Sequence, residues 1–304
     1  MLRQVILAAS ANRRIKALVA GAPLSRSVVR RFVAGELVDD AVRATRALQA
    51  GGLAVSLDRL GEDTHDTGQA NATTQAYLVL LEALSAAGLT AGGRAEVSVK
   101  LSAVGQTIDP SLALESTRTI CAAARAAGTT VTLDMEDHTT TDATLEALRQ
   151  LRVDFPSTGA VLQSYLHRTE DDCRALAVAG SRVRLCKGAY REPASVAYTG
   201  AAEVDASYAR CLQVLMAGPG YPMVATHDPK LVALAGSFGR APGTFEFQLL
   251  YGVRPAEQQR LAAEGQTVRV YVPYGDEWYG YLMRRLAERP ANLMFFLRAL
   301  ASRS

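Results

Sequence analysis

The sequence is poor in the residues that bind metals or form disulfides. Its 304 residues include only four cysteines and four histidines. The cysteines form no C-x-x-C pair, and the histidines form no H-x-x-x-H pair or zinc-site spacing with them. These residues are Cys121, Cys173, Cys186, Cys211, His65, His138, His167 and His227. We therefore expect a reducing compartment and no protein metal site.

The chain also lacks a long hydrophobic run and a strong charge of either sign. Near its start is one six-residue apolar run around Val5 to Ala9, followed by Arg13 and Arg14, which is too short for a signal peptide or a membrane span. A net charge of +3, from 33 basic and 30 acidic residues, is too small and dispersed to favour nucleic acid. We expect a cytoplasmic protein with no nucleic-acid partner and at most peripheral contact with the inner face of the membrane.

Lysine is scarce, and two of the lysines occupy special positions. The only lysines are Lys16, Lys100, Lys187 and Lys230. Lys100 and Lys187 both follow β-rich runs, and Lys187 lies in the stretch Arg184–Tyr190 (R-L-C-K-G-A-Y), where a strand gives way to a glycine turn. One interpretation is a strand whose basic side chains reach the rim; the other is a strand end that carries chemistry.

With 49% hydrophobic and 21% charged residues, the composition is that of a globular protein with an ample core. Ranges 2–20, 25–36 and 39–50 have the 3.6-residue spacing of helices, with Ser25 and Asp39 or Asp40 as caps and Gly51-Gly52 as a stop. Eight short apolar runs follow: Leu53–Leu57, Glu96–Leu101, Thr130–Met135, Ala160–Tyr165, Arg182–Cys186, Met223–Thr226, Thr244–Leu249 and Thr267–Val272.

Amphipathic segments separate these runs, and an eighth follows the last one. They are Thr74–Ala87, Ser111–Ala127, Thr141–Val153, Glu170–Val178, Ala194–Met216, Pro229–Ser237, Pro255–Ala263 and Asp276–Glu288. Eight strands alternating with helices predict an α/β (βα)₈ barrel. An open doubly wound sheet is the competing fold, but no G-x-G-x-x-G follows any strand. We predict one structural domain, with N-terminal helices over 1–52 packed on a barrel over 53–304.

A barrel places its catalytic residues at the carboxyl ends of its strands, and these ends are polar here. In order they carry Asp58, Lys100, Asp134 with Glu136-Asp137, Gln163 with Tyr165, Arg184 with Lys187 and Tyr190, Thr226-His227, Gln248 and Tyr271. A ring of these types predicts a site that binds an anionic, hydrogen-bonding ligand.

The final helical segment adds a basic face. Tyr281, Arg284, Arg285 and Glu288 are spaced i, i+3, i+4 and i+7 and therefore share one side of a helix. This side is either a solvated face with an Arg285–Glu288 pair or a cover over the barrel mouth that grips a carboxylate in bidentate fashion.

These residues together resemble the proline dehydrogenase family. The motifs, in order over about residues 53–300, are Lys100-Leu101-Ser102, Leu133-Asp134, Gln163-Ser164-Tyr165, Arg184-x-x-Lys187-Gly188-Ala189-Tyr190, Ala225-Thr226-His227, Glu246-Phe247-Gln248-x-Leu250 and Tyr281-Leu282-x-Arg284-Arg285. The family includes monofunctional bacterial enzymes and the dehydrogenase domain of bifunctional proline-utilisation flavoenzymes.

The resemblance implies a distorted (βα)₈ barrel that binds FAD, with the final helix covering the substrate. It implies oxidation of L-proline to Δ1-pyrroline-5-carboxylate by hydride transfer to flavin N5, with reoxidation by a quinone, as the first step of proline catabolism. A pyrroline-5-carboxylate dehydrogenase is a further candidate partner.

The resemblance also implies roles for individual residues. Arg184 and Asp134 would be catalytic. Contacts with the cofactor would come from Met135, Gln163, Arg184, Lys187, Gly188, Ala189, Thr226 and His227. Contacts with the substrate would come from Lys100, Tyr190, Leu250, Tyr271, Tyr281, Arg284, Arg285 and Glu288. Asp134-Met135-Glu136-Asp137 departs from the D-A-E-E of many bifunctional members, and Arg191 stands where some members have an aromatic residue.

A different chemistry stays open at this stage. On the same barrel, a Schiff-base lyase or aldolase would use Lys100 or Lys187 as a desolvated amine nucleophile. The two readings differ in colour, because only the flavoprotein would be yellow. A non-catalytic binding barrel is a third reading.

Overall fold

The computed structural model describes residues 29–61 and 64–288, with side chains as far as residue 283. Eight parallel strands close into a barrel in which each strand pairs with the next and the first with the last. They are β1 Ala54–Arg59, β2 Ala95–Val99, β3 Val131–Leu133, β4 Gly159–Gln163, β5 Arg182–Cys186, β6 Tyr221–Ala225, β7 Glu246–Leu250 and β8 Val268–Tyr274. The predicted barrel and all eight predicted strands are confirmed.

Helices connect the strands and surround the barrel. In the described ranges the longer ones are α1 Val38–Ala50, α2 Thr67–Ala86, α3 Pro110–Ala126, α4 Thr141–Asp154, α5 Thr169–Leu176, α6 Ala201–Ala217, α7 Pro229–Ser237, α8 Pro255–Ala263 and α9 Trp278–Glu288. Short 3₁₀ turns cover Ala91–Gly93, Ser102–Val104 and His138–Thr140. The main apolar core lies between strands and helices, where Val97, Leu185 and Val270 are fully buried.

Two helices begin seven residues away from their predicted first residues, and hydrogen bonds explain both differences. Helix α2 begins seven residues early, because the Asp66 side chain accepts from the Gln69 amide and caps the helix there. Helix α6 begins at Ala201 rather than Ala194. The residues before it are used in pairing with the end of β4, since Tyr198 N donates to Tyr165 O and His167 N donates to Val196 O.

The N-terminal helices also end and begin at different places from those predicted. The described part of the second predicted helix stops at Phe32, and Ala34 N instead donates to Pro273 O at the end of β8. Helix α1 starts after Leu37. The Asp40 side chain accepts hydrogen bonds from the amides of Glu36 and Leu37, so Asp40 supports the start of the helix without being the cap residue. The predicted stop at Gly51-Gly52 is confirmed. The predicted helix over 2–20 and the cap Ser25 lie outside the described residues.

The interior of the barrel is polar. Along β2, Glu96 and Ser98 alternate with Val97 and Val99, and all four are buried. Alternating side chains of a barrel strand point to opposite faces, so the apolar set packs under the helices and the polar set fills the barrel. Barrel interiors are more often filled by branched apolar residues. Among the described residues, no helix is long and apolar enough to cross a membrane.

Candidate active site

Arg184, at the middle of β5, is the hub of the barrel interior. It is 5% exposed, and its guanidinium donates to Gln248 Oε1 at 2.5 Å, Ser98 Oγ at 2.9 Å and Ser56 Oγ at 3.1 Å. It also donates to Asp134 Oδ1 at 2.5 Å. Side chains from three other strands, β1, β2 and β7, and from the segment after β3 thus fix the orientation of the guanidinium.

The electrostatics keep this guanidinium charged. Burial alone would lower the pKa of Arg184, but the carboxylates of Asp134 and Glu96 outweigh it and raise that pKa. The ring of Tyr271 covers one face, with the guanidinium carbon 5.1 Å from the ring centroid. Arg184 is therefore a fixed cation, oriented before any ligand arrives.

Asp134 links Arg184 to two other groups at the barrel mouth. Its Oδ2 accepts from the Tyr271 hydroxyl at 2.6 Å and lies 3.9 Å from Lys100 Nζ. Its Oδ1 also accepts from Ser98 Oγ at 2.8 Å. Burial, followed by the charge of Asp134, raises the pKa of Tyr271 well above its usual range, so this phenol stays protonated and donates.

Lys100 follows β2 and is paired with Asp58 of β1. Its Nζ lies 2.7 Å from Asp58 Oδ2 and 2.9 Å from Asp58 Oδ1. Both residues are at least nine-tenths buried. The two strands are neighbours in register, with Asp58 beside Ser98, which brings the side chains together at the mouth.

A second charged layer lies below Arg184. Glu96 contacts Arg182 at 2.6 Å, Arg184 at 3.7 Å and Arg269 at 3.8 Å, while Glu246 accepts from Arg269 at 2.8 Å. Burial alone would raise the pKa of Glu96, but the three arginines outweigh it and hold that pKa at about 2. The floor of the barrel is therefore ionised.

Among the described residues, the charges that form ion pairs inside the barrel balance. Ion pairs of 4.0 Å or less join Lys100, Arg182, Arg184 and Arg269 to Asp58, Asp134, Glu96 and Glu246 in one connected network. Four cations and four carboxylates sum to zero when all are ionised. Because each charge has a partner, the network can stay buried without a net charge.

Gln163 is the last residue of β4, and Met135 lies just after β3, so both belong to the barrel mouth. Both are buried, and Gln163 Nε2 donates to the Glu136 carbonyl at 2.7 Å. The Glu136 carboxylate accepts from the amide of Ser102 at 3.1 Å and from its hydroxyl. These bonds tie the segment after β3 to that after β2.

The loop after β5 is fixed by packing and by a buried carboxylate. Gly188 has φ +116°, and a Cβ there would lie 2.3 Å from the Tyr165 ring, so glycine is required for this close approach. Tyr165 OH donates to Glu192 at 3.2 Å, and Glu192 also accepts from the His138 amide at 2.9 Å and pairs with its ring. The loop carrying Lys187, Gly188 and the exposed Ala189 is thereby tied to the segment after β3.

Lys187 is half-buried between two carboxylates. Its Nζ lies 2.5 Å from Asp205 and 3.1 Å from Asp228. Partial burial would lower the pKa of Lys187, but hydrogen bonds to the two carboxylates raise it. The ammonium is therefore a stable cation at the end of β5.

Thr226, His227 and Leu250 occupy the ends of β6 and β7. His227 Nε2 accepts from the Leu250 amide at 2.9 Å, which places the proton of the neutral ring on Nδ1. Thr226 Oγ1 accepts from the Asp228 amide at 3.1 Å. The histidine is thus a donor through Nδ1 in this tautomer.

The final helix begins beside the N-terminal segment. Tyr281 is buried in an apolar cluster with Phe32, Leu60 and Leu282, and Trp278 Nε1 donates to Glu36 at 3.0 Å. The backbone of α9 continues to Glu288, as the sequence predicts. The side chains of Arg284, Arg285 and Glu288 lie outside the described residues. Tyr190 is half-buried in the loop after β5.

The structure thus brings together Lys100, Asp134, Arg184 and Tyr271 through direct contacts. Sequence reasoning placed Asp58 and Gln248 in the ring of polar strand ends without a role of their own, and it assigned no site role to Ser56, Glu96, Ser98, Glu246 and Arg269. The signal that could have found them is the period-two alternation, in which each polar residue of a strand is separated by one apolar residue from the next.

The chain is similar to known proteins over most of its length. A family model described as proline dehydrogenase matches residues 41–298. The chain is 43% identical over 284 residues to the proline dehydrogenase of Deinococcus radiodurans, covering 90% of each chain. It is 37% identical over 304 residues to proline dehydrogenase 1 of Bacillus subtilis, covering 99% of each chain.

Solved structures show a similar fold. Proline utilization A of Bdellovibrio bacteriovorus superposes with a TM-score of 0.80 at 24% identity, over 92% of this chain and 34% of that one. The family model, the curated relatives and the barrel fold all indicate the same family. The chain therefore belongs to the proline dehydrogenase family of enzymes.

Proposed function

We propose that the protein catalyses the FAD-dependent oxidation of L-proline to Δ1-pyrroline-5-carboxylate and passes the electrons to a quinone. The observation that carries this proposal is the fixed, charged Arg184, which hydrogen bonds hold in one orientation inside the barrel. A cation that is already oriented stabilises negative charge that appears only as a reaction proceeds. Family membership supplies the substrate class.

The donor chemistry of the mouth fits a flavin dinucleotide. Such a cofactor presents carbonyl oxygens, ring nitrogens and an anionic diphosphate, which call for hydrogen-bond donors and cations. Arg184 and Lys187 are cations, Gln163 offers an amide, and His227 carries its proton on Nδ1. We assign cofactor contacts to Met135, Gln163, Arg184, Lys187, Gly188, Ala189, Thr226 and His227.

The substrate requirements are a carboxylate, a secondary amine and a small apolar ring. We assign the carboxylate to Lys100, with Arg284 and Arg285 of α9 closing over it. The ring would be walled by Tyr190, Leu250, Tyr271 and Tyr281, and Glu288 would orient the arginines. Buried Tyr281 supports a cover at this point, because the cluster around it ties the start of α9 to Leu60, just after β1.

The flavin would supply the hydride acceptor, at N5. Arg184 would hold the cofactor and stabilise negative charge on it, and Asp134 fixes that guanidinium while it accepts a hydrogen bond from the Tyr271 hydroxyl. The amine must be deprotonated before a hydride leaves the adjacent carbon. The two electrons of that C–H bond would go to the cofactor and the nitrogen lone pair would form the C=N bond, which gives the protonated cyclic imine; this would release its proton to water.

The electron acceptor and partners are proposed on family grounds. We propose a quinone met by peripheral contact at the inner face of the membrane, and a pyrroline-5-carboxylate dehydrogenase that consumes the product. The chain is 29% identical to the bifunctional protein PutA of Escherichia coli, over 95% of this chain and 26% of that protein, which supports a link to a second enzyme. We also propose that 1–52 packs on a single barrel domain over 53–304.

The Schiff-base alternative is disfavoured by the ion pairs. An amine nucleophile must be neutral, yet Lys100 is held by Asp58 at 2.7 and 2.9 Å. Lys187 lies between two carboxylates that raise its pKa. Both arrangements stabilise the ammonium, which cannot attack a carbonyl.

Anaerobic addition of L-proline to the purified protein tests the proposal. We expect a yellow protein whose visible flavin absorbance bleaches with L-proline and returns with a short-chain quinone. A colourless protein that borohydride links to its substrate would establish the lyase instead. A yellow protein that proline leaves unchanged would remove proline as the substrate.

A further inference from the structure

Asp58 is a buried carboxylate at the mouth with no assigned role. It lies at the carboxyl end of β1, is 1% exposed, and contacts Lys100 Nζ through both of its oxygens, at 2.7 and 2.9 Å. Lys100 itself is 8% exposed. An ammonium held by two oxygens of one carboxylate has a defined position, although the lysine side chain has four rotatable bonds.

We propose that Asp58 is a positioning residue, which presents the Lys100 ammonium to the substrate carboxylate and keeps it charged. This rests on the proposed function, in which Lys100 binds the carboxylate of proline. Asp58 acts through Lys100 and does not itself contact the substrate.

The first physical reason is conformational entropy. An unrestrained lysine side chain populates many rotamers and loses that freedom when it binds a ligand in one geometry. Because Asp58 already fixes Nζ, that cost falls on folding rather than on binding. Preorganisation of this kind increases affinity without a new contact.

The second reason is charge. A buried ammonium gives up its proton more readily when its counter-ion is removed. The charged groups near Lys100 in the described part of the chain include Asp58 from β1 and Asp134 from the segment after β3, at 3.9 Å, and Asp134 also contacts Arg184 and Tyr271. Without Asp58, Lys100 would lose its shorter ion pair and keep the 3.9 Å contact with Asp134, a carboxylate that it shares with Arg184. Burial raises the pKa of Asp58, and the charge of Lys100 opposes that rise.

A double-mutant cycle measures this dependence. The variants are Asp58→Asn, Lys100→Met and the double variant, and the probe is tetrahydrofuran-2-carboxylate, a proline-shaped carboxylate without an amine, titrated by calorimetry into the purified enzyme. We expect about tenfold weaker binding for Asp58→Asn at pH 7 and about ten- to hundredfold for Lys100→Met, the range expected when one charge-assisted contact is lost. The double variant should bind no more weakly than Lys100→Met alone.

Two further readouts separate positioning from a general loss of structure. The weakening caused by Asp58→Asn should be larger at pH 9 than at pH 7, since Lys100 would lose its proton more readily. The uncharged tetrahydrofuran-2-carboxamide should bind wild type and Asp58→Asn equally. Should Asp58→Asn fail to fold, Asp58→Glu replaces it: the charge is kept but the ammonium is displaced, so affinity falls at pH 7 with no added pH dependence.

Unchanged or tighter binding of the carboxylate to Asp58→Asn would overturn the proposal, because Asp58 would then compete with the substrate for Lys100. Additive losses in the double variant, or unchanged binding to Asp58→Glu, would overturn it as well. The titration requires no turnover, so its result is distinct from that for the proposed reaction. An enzyme that proline fails to reduce contradicts the proposed function alone.

Discussion

Arg184 and Asp134 form a buried ion pair, with guanidinium nitrogen and carboxylate oxygen 2.5 Å apart. Asp134 also contacts Tyr271 and Lys100, and Arg184 also contacts Glu96. The mouth and the floor of the barrel are therefore one electrostatic unit. Replacing one member leaves its partner without its counter-ion in a buried setting, which costs about 3–5 kcal/mol in typical buried pairs.

The floor of the barrel should give the protein an acid-sensitive component of stability. The folded-state pKa of Glu96 is about 2, below its ordinary value of 4.5. A depressed pKa adds stability that is fully present above pH 4.5 and is lost as the pH falls towards 2. The free-energy difference of unfolding between wild type and Glu96→Gln should therefore shrink steadily from pH 5 to pH 3. Urea titrations at several pH values measure it, and a difference that grows with acid would contradict this assignment.

Gly188 offers a test of the loop after β5. In Gly188→Ala the new Cβ would both adopt an unfavourable φ of +116° and collide with the Tyr165 ring. Gly180→Ala is the matched control, because φ is +77° there and nothing lies within 4 Å of the added Cβ. Each should lose about 1–3 kcal/mol from backbone strain. Gly188→Ala should lose further free energy of unfolding because of the collision with the Tyr165 ring, and it should also retain less flavin after purification. Equal stability and equal flavin content of the two variants would show that the ring contact is unimportant.

The proposed clamp on α9 predicts a binding defect without a stability defect. Arg284→Met and Arg285→Met should each remove charge-assisted hydrogen bonds of roughly 1.5–3 kcal/mol, which weakens the binding of a cyclic carboxylate about ten- to hundredfold. Arg149→Met, on an exposed face and paired with Glu146, is the matched control and should bind normally. If Arg284→Met and Arg285→Met bind the cyclic carboxylate as tightly as Arg149→Met does, this side of the helix is a solvated face instead.

The barrel could be predicted from the sequence because each strand is a short apolar run between amphipathic helices. The strand ends were predictable for the same reason, since parallel strands bring their carboxyl ends to one side. Helix starts were harder: the capping of α2 by Asp66 and the pairing of residues 196–198 with the end of β4 depend on local and tertiary bonds that a periodic pattern does not contain.

The charged floor was missed for a different reason. The apolar content of a run such as Glu96–Leu101 predicts a strand, but it does not show that Glu96 and Ser98 belong to a network inside the barrel. The arginine partners of Glu96, including Arg182 and Arg269, lie 86 or more positions away in the sequence. Alternation within a strand could show that the inward positions are polar, but only the closed barrel shows which charges meet.

The central claim is that Arg184 stabilises charge that develops on the cofactor, and single-turnover reduction by saturating L-proline tests it most directly. Arg184→Met should fold with lower stability, retain some flavin and be reduced about 10²–10³-fold more slowly than wild type, because removing one oriented electrostatic donor typically costs this much in rate. Arg184→Lys should recover part of the rate, since it keeps the charge without the fork. Reduction of flavin-loaded Arg184→Met at the wild-type rate would contradict the account.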